Sequence, residues 1–280
     1  MTQSQNPASD LAQRGATADP WEQLRALTAA RIALGRCGGS LPTHELLDFG
    51  LAHARARDAV HAEFDPVKLA DELQALGIPS LQLASEARDR WEYLRRPDLG
   101  RKLSAKSKST LNEHMTASAP SDFCYDLSIM ASDGLSATAV HQQVIPLLRQ
   151  LWPRLGIDGW RLSPVGLVRY GRVGIQDEIG ELMGARIALM LIGERPGLGS
   201  PNSLGAYFVY GPRAGLTDAD RNCISNIREE GLRPEQAAAT IYYLLNASRQ
   251  KQLSGVTLKD DREVLKVKSQ RSIDNEASRE

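Results

Sequence analysis

Residues 165–197 read VGLVRYGRVGIQDEIGELMGARIALMLIGERPG, and this stretch decides the fold class. The apolar run Val165–Val168 gives way to the polar, glycine-bearing Arg169-Tyr-Gly-Arg-Val173. Ile175, Ile179, Leu182 and Met183 then recur at i, i+4, i+7 and i+8, the spacing of one helix face. A second apolar run, Ile187–Ile192, ends in Gly193-Glu-Arg-Pro-Gly197. Strand over 164–169, helix near 176–184 and strand over 186–192 predict an α/β protein with a mainly parallel sheet covered by helices on both faces. Loops that leave strand ends in such a sheet are where ligand-binding groups collect.

The pattern extends outward in both directions. Downstream, Tyr207–Tyr210 lies in a further strand over 206–210 that leads into a helix-containing loop, and Pro234 opens the last long helix with Ala237, Ile241, Leu244, Leu245 and Ser248 on one side. Upstream, Tyr125–Met130 reads as a strand and Ser132-Asp-Gly134 as a turn. Ser136 caps a helix carrying Ala137, Val140, Val144, Leu147 and Leu151, which Pro146 should kink.

Residues 19–118 read as a helical N-terminal domain. Its helices start at Asp19-Pro20 (with Trp21, Leu24, Leu27 and Ile32 on one face), near Thr43 (Leu47, Leu51 and Ala54 inward), at Asp65-Pro66 and at Ser85. Residues 119–262 form the second domain. The polar residues 1–18 and the mixed-charge residues 263–280 are expected to be a disordered leader and a mobile tail.

Composition narrows the classes of partner. The 34 basic residues balance 34 acidic ones, which removes the electrostatic case for nucleic acid or an anionic membrane. No apolar run reaches the ~20 residues of a membrane span. The cysteines Cys37, Cys124 and Cys223 are odd in number, widely spaced and without a CxxC, which suits a reducing cytoplasm. The basic stretch Arg95–Lys108 lacks interleaved aromatics and reads as a solvated or subunit-contacting face.

Three positions carry candidate chemistry. Gly193-Glu-Arg-Pro-Gly-Leu-Gly199 follows a strand but is neither GxGxxG nor GxxxxGK[ST], so a nucleotide cradle is weakly supported. Glu194 and Arg195 nevertheless stand where a buried strand ends, where a charge needs a partner or a ligand. Cys223 has no histidine near it in sequence, and a packed or ligand-touching thiol outweighs a catalytic thiolate. Val173, apolar at a strand-to-helix mouth, suits either a flat organic surface or packing against the next helix.

Taken together, AARIALGRCGGSLPTHELLDFGLAHARARDAV (29–60), YLRRPDLGRKL (93–103), SDGLSATAV (132–140), VRYGRVGIQDEIGELMGA (168–185), LIGERPGLGSPNSLGAYFVYGPR (191–213), DADRNCISNIREEGL (218–232) and LSGVTLKDD (253–261) resemble the light chain of ethanolamine ammonia-lyase. The order GRVxxxDEIGE, GERPGL, DRNCISNI is far more specific than any one of the three. The resemblance implies a helical N-terminal part and a Rossmann-like C-terminal part, assembled with a heavy chain that carries the ethanolamine site. It implies adenosylcobalamin between the subunits and radical conversion of ethanolamine to acetaldehyde and ammonia.

The family's cobalamin contacts carry over onto Val173, Glu194 and Cys223, expected beyond successive strands, and no catalytic residue or metal ligand is assigned to this chain. No DxHxxG is present, which favours a cofactor that keeps its own dimethylbenzimidazole on cobalt, the base-on form. Residues 1–18 show no amphipathic face of the kind that targets family members to microcompartments, so a free cytoplasmic enzyme is expected. The rival readings are a nucleotide-dependent oxidoreductase and a scaffold that binds no small molecule.

Overall fold

The computed structural model describes residues 17, 19–117 and 125–262. The expected leader, apart from Thr17, and the expected tail lie outside the described residues. The chain divides into two compact units, one comprising Met1–Asp58 with Gly197–Pro201 and the other Ala59–Pro196 with Asn202–Glu280.

In the first unit, Asp19 accepts a hydrogen bond from the Trp21 amide at 2.9 Å. The chain beyond it forms only a 3-10 turn, Glu22–Leu27, instead of the predicted helix. Trp21, Leu24 and Leu27 are exposed, so the segment buries no apolar face that could sustain a longer helix. Helix α1, Thr43–His61, begins where the sequence places it but turns the other way. Leu47 and Leu51 are 66% and 51% exposed, whereas Glu45, Ala52 and Ala59 are buried, seven residues apart.

The second unit opens with α2, Pro66–Ala75. Asp65 caps it by accepting from the amides of Val67 and Lys68 at 3.1 and 3.0 Å, the cap-plus-proline start read from the sequence. Next come β1 (Ser80–Ala84), α3 (Arg90–Arg95) and α4 (Ala105–Ala117). Strand β1 is absent from the sequence reading. It also places part of residues 19–118 in the sheet, because Ser80–Ala84 pairs in parallel with Val165–Arg169. Helix α3 is capped by Asp89, which accepts from the Glu92 amide, and not by Ser85.

The elements β2 (Tyr125–Ser132), α5 (Ala137–Ile157), β3 (Val165–Arg169), α6 (Ile175–Leu182), β4 (Ala185–Gly193) and β5 (Leu204–Tyr210) fall close to their predicted positions. Ser136 caps α5 by accepting from the Ala139 amide, and α5 stays one helical element through Pro146 and Pro153. Strand β6, Asn222–Ile227, occupies part of what reads as a helix-containing loop; the helical component is a single 3-10 turn, Asp218–Asp220. Helix α7, Pro234–Lys251, closes the unit.

The six strands lie in the order β1-β3-β2-β4-β5-β6. The pairs β1/β3, β2/β3 and β2/β4 are parallel, while β4/β5 and β5/β6 are antiparallel. The α/β class and the mainly parallel sheet hold. Only the β5 and β6 end runs back and forth.

Alternation along the strands supplies both faces. In β4, Ile187, Leu189 and Leu191 join Leu69, Leu147 and Ile241 in one cluster, and Ala188, Met190 and Ile192 join Leu111, Ile175 and Ile179 in the other. Each such buried Leu or Ile contributes about 1.5–3 kcal/mol relative to exposure. Among the described residues no helix is long and apolar enough to cross a membrane.

Within the basic stretch several cations have partners in the fold. Arg96 pairs with Asp98 at 2.7 Å, Lys108 pairs with Glu178 at 2.7 Å, and Arg95 stacks over exposed Trp91 with its guanidinium carbon 3.5 Å from the ring centroid.

Candidate functional site

From β2 the chain turns toward β3 on one side of the sheet, and from β4 it turns toward β5 on the other. The carboxyl ends of these two neighbours therefore diverge, and a crevice opens where open α/β sheets bind ligands. A cavity of about 430 Å³ lies there, lined by Gly134 and Leu135 after β2, Arg172 and Val173 after β3, Ile192–Arg195 at the end of β4, Tyr207 of β5, and Tyr93.

Two glycines make the floor. The Gly193 carbonyl accepts from the Leu135 amide at 2.9 Å. A Cβ on Gly134, whose φ is +53°, would stand 2.4 Å from the Gly193 carbonyl oxygen. A Cβ on Gly193 would stand 2.1 Å from that of Ser136. The backbones of the two loops thus touch without side chains between them.

The turn that carries Val173 is held by buried polar groups. Ser132 Oγ accepts from the Gly171 amide at 3.0 Å, and Asp133 Oδ1 accepts from the Tyr170 amide at 2.7 Å. These bonds secure Tyr170 in the left-handed region at φ +59°. Tyr93 Oη donates to the Gly171 carbonyl at 3.3 Å, and the Arg172 amide donates to the Gly100 carbonyl at 2.7 Å. Arg90 donates to the Gly134 carbonyl at 2.6 Å and to Asp133 at 3.3 Å.

Burial raises the Asp133 carboxyl from 3.8 to about 6, against the lowering effects of Arg90 and of the hydrogen bonds that it accepts. The folded chain therefore holds this proton to higher pH than the unfolded chain. Its contribution to stability is full below about 3.8 and is lost as pH rises through about 6, roughly 3 kcal/mol in all. The urea midpoint of the full-length chain is expected to fall over that window, and Asp133→Asn to flatten the fall. Parallel curves for the two proteins would contradict it.

Glu194 is fixed by Ser203, just before β5, and by Asn226 of β6. Its Oε2 accepts from Ser203 Oγ at 2.6 Å and from the Asn226 amide of β6 at 3.2 Å. Gly205 makes room, since a Cβ there would come within 2.9 Å of Glu194 Oε1. The charge at the strand end thus has partners within the fold, and it still lines the cavity.

Val173 and Glu194 are brought together on this one cavity. Cys223 is not in a loop beyond a strand, as the sequence suggests, but inside β6, opposite Tyr207 of β5. The missed strand accounts for the difference. The pairing of β5 with β6 sets the two side chains beside each other. Partial desolvation beside Tyr207 pushes the thiol up although Cys223 is an exposed position of β6, so Cys223 is protonated at neutral pH and unsuited to nucleophilic work. Cys223 itself is absent from the cavity lining, which includes its strand partner Tyr207.

Sequence reasoning passes over Tyr207, Tyr93 and Arg172 as cavity groups. For Tyr207 a signal exists, since alternation along β5 sets it on the face opposite Phe208.

The sequence model of a family described as ethanolamine ammonia-lyase light chain (EutC) matches residues 18–259. The chain belongs to this family. It is 54% identical over 254 residues to a Pseudomonas putida (strain GB-1) protein named ethanolamine ammonia-lyase small subunit, covering 91% of this chain and 92% of that one. A protein of the same name from Azotobacter vinelandii is 53% identical over 252 residues, covering 90% and 92% of the two chains. A third, from Pseudomonas syringae pv. tomato, is 49% identical over 272 residues, covering 97% and 94%. Both sheet faces and the whole cavity fall inside the span matched by the light-chain family.

Proposed function

We propose that this chain is the small subunit of a cytoplasmic ethanolamine ammonia-lyase and holds base-on adenosylcobalamin at its interface with the heavy chain, which carries the substrate site. The observation that carries the reading is the meeting of Val173 and Glu194 on one cavity at the carboxyl ends of β2 and β4, in a member of the light-chain family. The residues present fit the group. Corrin side chains are primary amides; Glu194 offers a carboxylate acceptor, and Val173 with the ring of Tyr207 offers an apolar wall. The close contact of Gly134 with Gly193 holds the two loops that border the cavity together.

When bound, adenosylcobalamin supplies a cobalt–carbon bond whose homolysis starts radical conversion of ethanolamine to acetaldehyde and ammonia. The work of this chain is binding and orientation. Glu194 presents an oxygen whose position Ser203 and Asn226 fix. Cys223, kept neutral, stands opposite Tyr207 on the neighbouring strand. Asp133 and Arg90 hold the loops that bear Gly134 and Val173.

The test is equilibrium titration of the complex of this chain with its heavy chain. Glu194→Ala is expected to weaken cobalamin binding about tenfold or more, the value of a charge-assisted hydrogen bond, while co-purification of the subunits persists. Unchanged affinity would remove Glu194 from the site, and a heavy chain fully active alone would overturn the reading.

A further inference from the structure

A second cavity, of about 580 Å³, adjoins the first at Arg172, Val173 and Tyr207. Its remaining lining includes Arg101, Gly174, Asp177, Asp218 and Arg221. Glu194, Arg172 and Arg195 are the charged groups of the first cavity, and Arg101, Arg172 and Arg221 with Asp177 and Asp218 are those of the second, so Arg172 borders both.

These guanidiniums are not equivalent. Arg221 is neutralised, since it donates to Asp177 and to the Thr217 carbonyl and lies 3.7 Å from Asp218. Arg172 donates to the Tyr93 carbonyl at 3.0 Å and stacks with its guanidinium carbon 4.2 Å from the Tyr93 ring centroid. Its Nε is buried with no hydrogen-bond partner. Among the described residues neither Arg172 nor Arg101 forms an ion pair. A guanidinium held in place, partly withdrawn from water and uncompensated favours an anion beside it, and its planar fork matches a phosphate oxygen pair.

We infer that the cavity bounded by Arg101, Arg172 and Gly174 is the subsite for a phosphodiester, the monoanionic link of the cofactor's nucleotide arm, with Arg172 as its principal donor and Arg101 as a second cation. The inference rests on the proposed cobalamin role of the adjoining cavity. It divides the labour between the two cavities: amide recognition by Glu194 in one, and phosphodiester recognition by Arg172 in the other. Neutralisation of Arg221 by Asp177 leaves a net cationic pocket without making it strongly basic.

The test uses the complex with the heavy chain and two ligands that share a corrin, cyanocobalamin and dicyanocobinamide, of which the second lacks the nucleotide arm. Arg172→Met is expected to weaken cyanocobalamin binding about tenfold to hundredfold and cobinamide binding at least tenfold less, since Arg172 also borders the corrin cavity. Arg101→Met should show the same discrimination with a smaller loss, and Arg172→Lys should recover part of it. Inorganic phosphate should weaken cyanocobalamin binding and spare cobinamide.

Equal loss for both ligands would mean that Arg172 only shapes the pocket, and no loss for either would mean that it touches nothing; each overturns the inference. Failure of the parent reading is a separate result, in which the unsubstituted complex binds neither ligand. Phosphate that binds without affecting cobalamin would identify a free-anion site and would likewise overturn it.

Discussion

Gly193→Ala is expected to cost about 3 kcal/mol or more, the upper range of overpacking penalties, and to abolish the cavity. Its Cβ would have to occupy space 2.1 Å from the Ser136 carbonyl oxygen and 2.5 Å from that of Asp133. Both obstacles are backbone atoms at the start of α5, so no side-chain rotation relieves them. Moving the segment away would also stretch the bond from the Leu135 amide to the Gly193 carbonyl, now 2.9 Å. Thermal or urea unfolding of the purified chain checks this directly. A stability change within about 0.5 kcal/mol, the ordinary range for a surface substitution, would show that the two loops are not in contact.

The second large effect is expected from Arg221→Leu. Arg221 and Asp177 are buried, with side chains 4% and 9% exposed, and Arg221 is the counter-ion of Asp177. Removing one member of such a pair and stranding the other costs about 3–5 kcal/mol. The effect should depend on pH in a definite sense. Burial already raises Asp177 from 3.8 to about 6 in the folded chain, with Arg221 opposing the rise. Its contribution is therefore complete below about 3.8 and is lost as pH rises through about 6. Without Arg221 the folded carboxyl moves higher still, so the variant should lose most near pH ~8 and recover toward pH ~5. Unfolding curves at the two pH values measure this, and a loss of equal size at both would contradict it.

The legibility of each element in the sequence depends on how that element is stabilised. Strands β2, β3 and β4 are buried on both faces and read as continuous apolar runs, so Val165–Val168 and Ile187–Ile192 are visible without tertiary information. The caps at Asp65, Ser136 and Pro234 are equally local. Strand β1 is five residues long and alternates only weakly, and its pairing partner is β3, far along the chain. Strand β6 has three exposed positions, Cys223, Ser225 and Asn226, and so lacks an apolar run. Helix α1 misleads because Leu46, Leu47 and Leu51 are exposed, and apolar periodicity then marks the outer face.

The same logic governs the site. Val173 and Glu194 are legible because they follow strands that are themselves legible. The role of Arg172 is not, because it depends on Tyr93 and Gly100, from a part of the chain that reads as a separate helical domain. Cys223 can be singled out by its motif, but its neutral state depends on the register that sets it opposite Tyr207.

The grip on Glu194 has a thermodynamic consequence. A free glutamate on a surface surrenders rotamer freedom when it recognises an amide, at a cost of about 0.5–1.5 kcal/mol for a flexible side chain. Here the hydroxyl of Ser203 and the amide of Asn226 have already immobilised it, and folding has borne that entropy loss. Its Oε1, beside Gly205, is presented in a fixed direction before any ligand arrives. On the proposed function, recognition at this position is selective for donors at one angle, and little disorder remains to be lost when one binds.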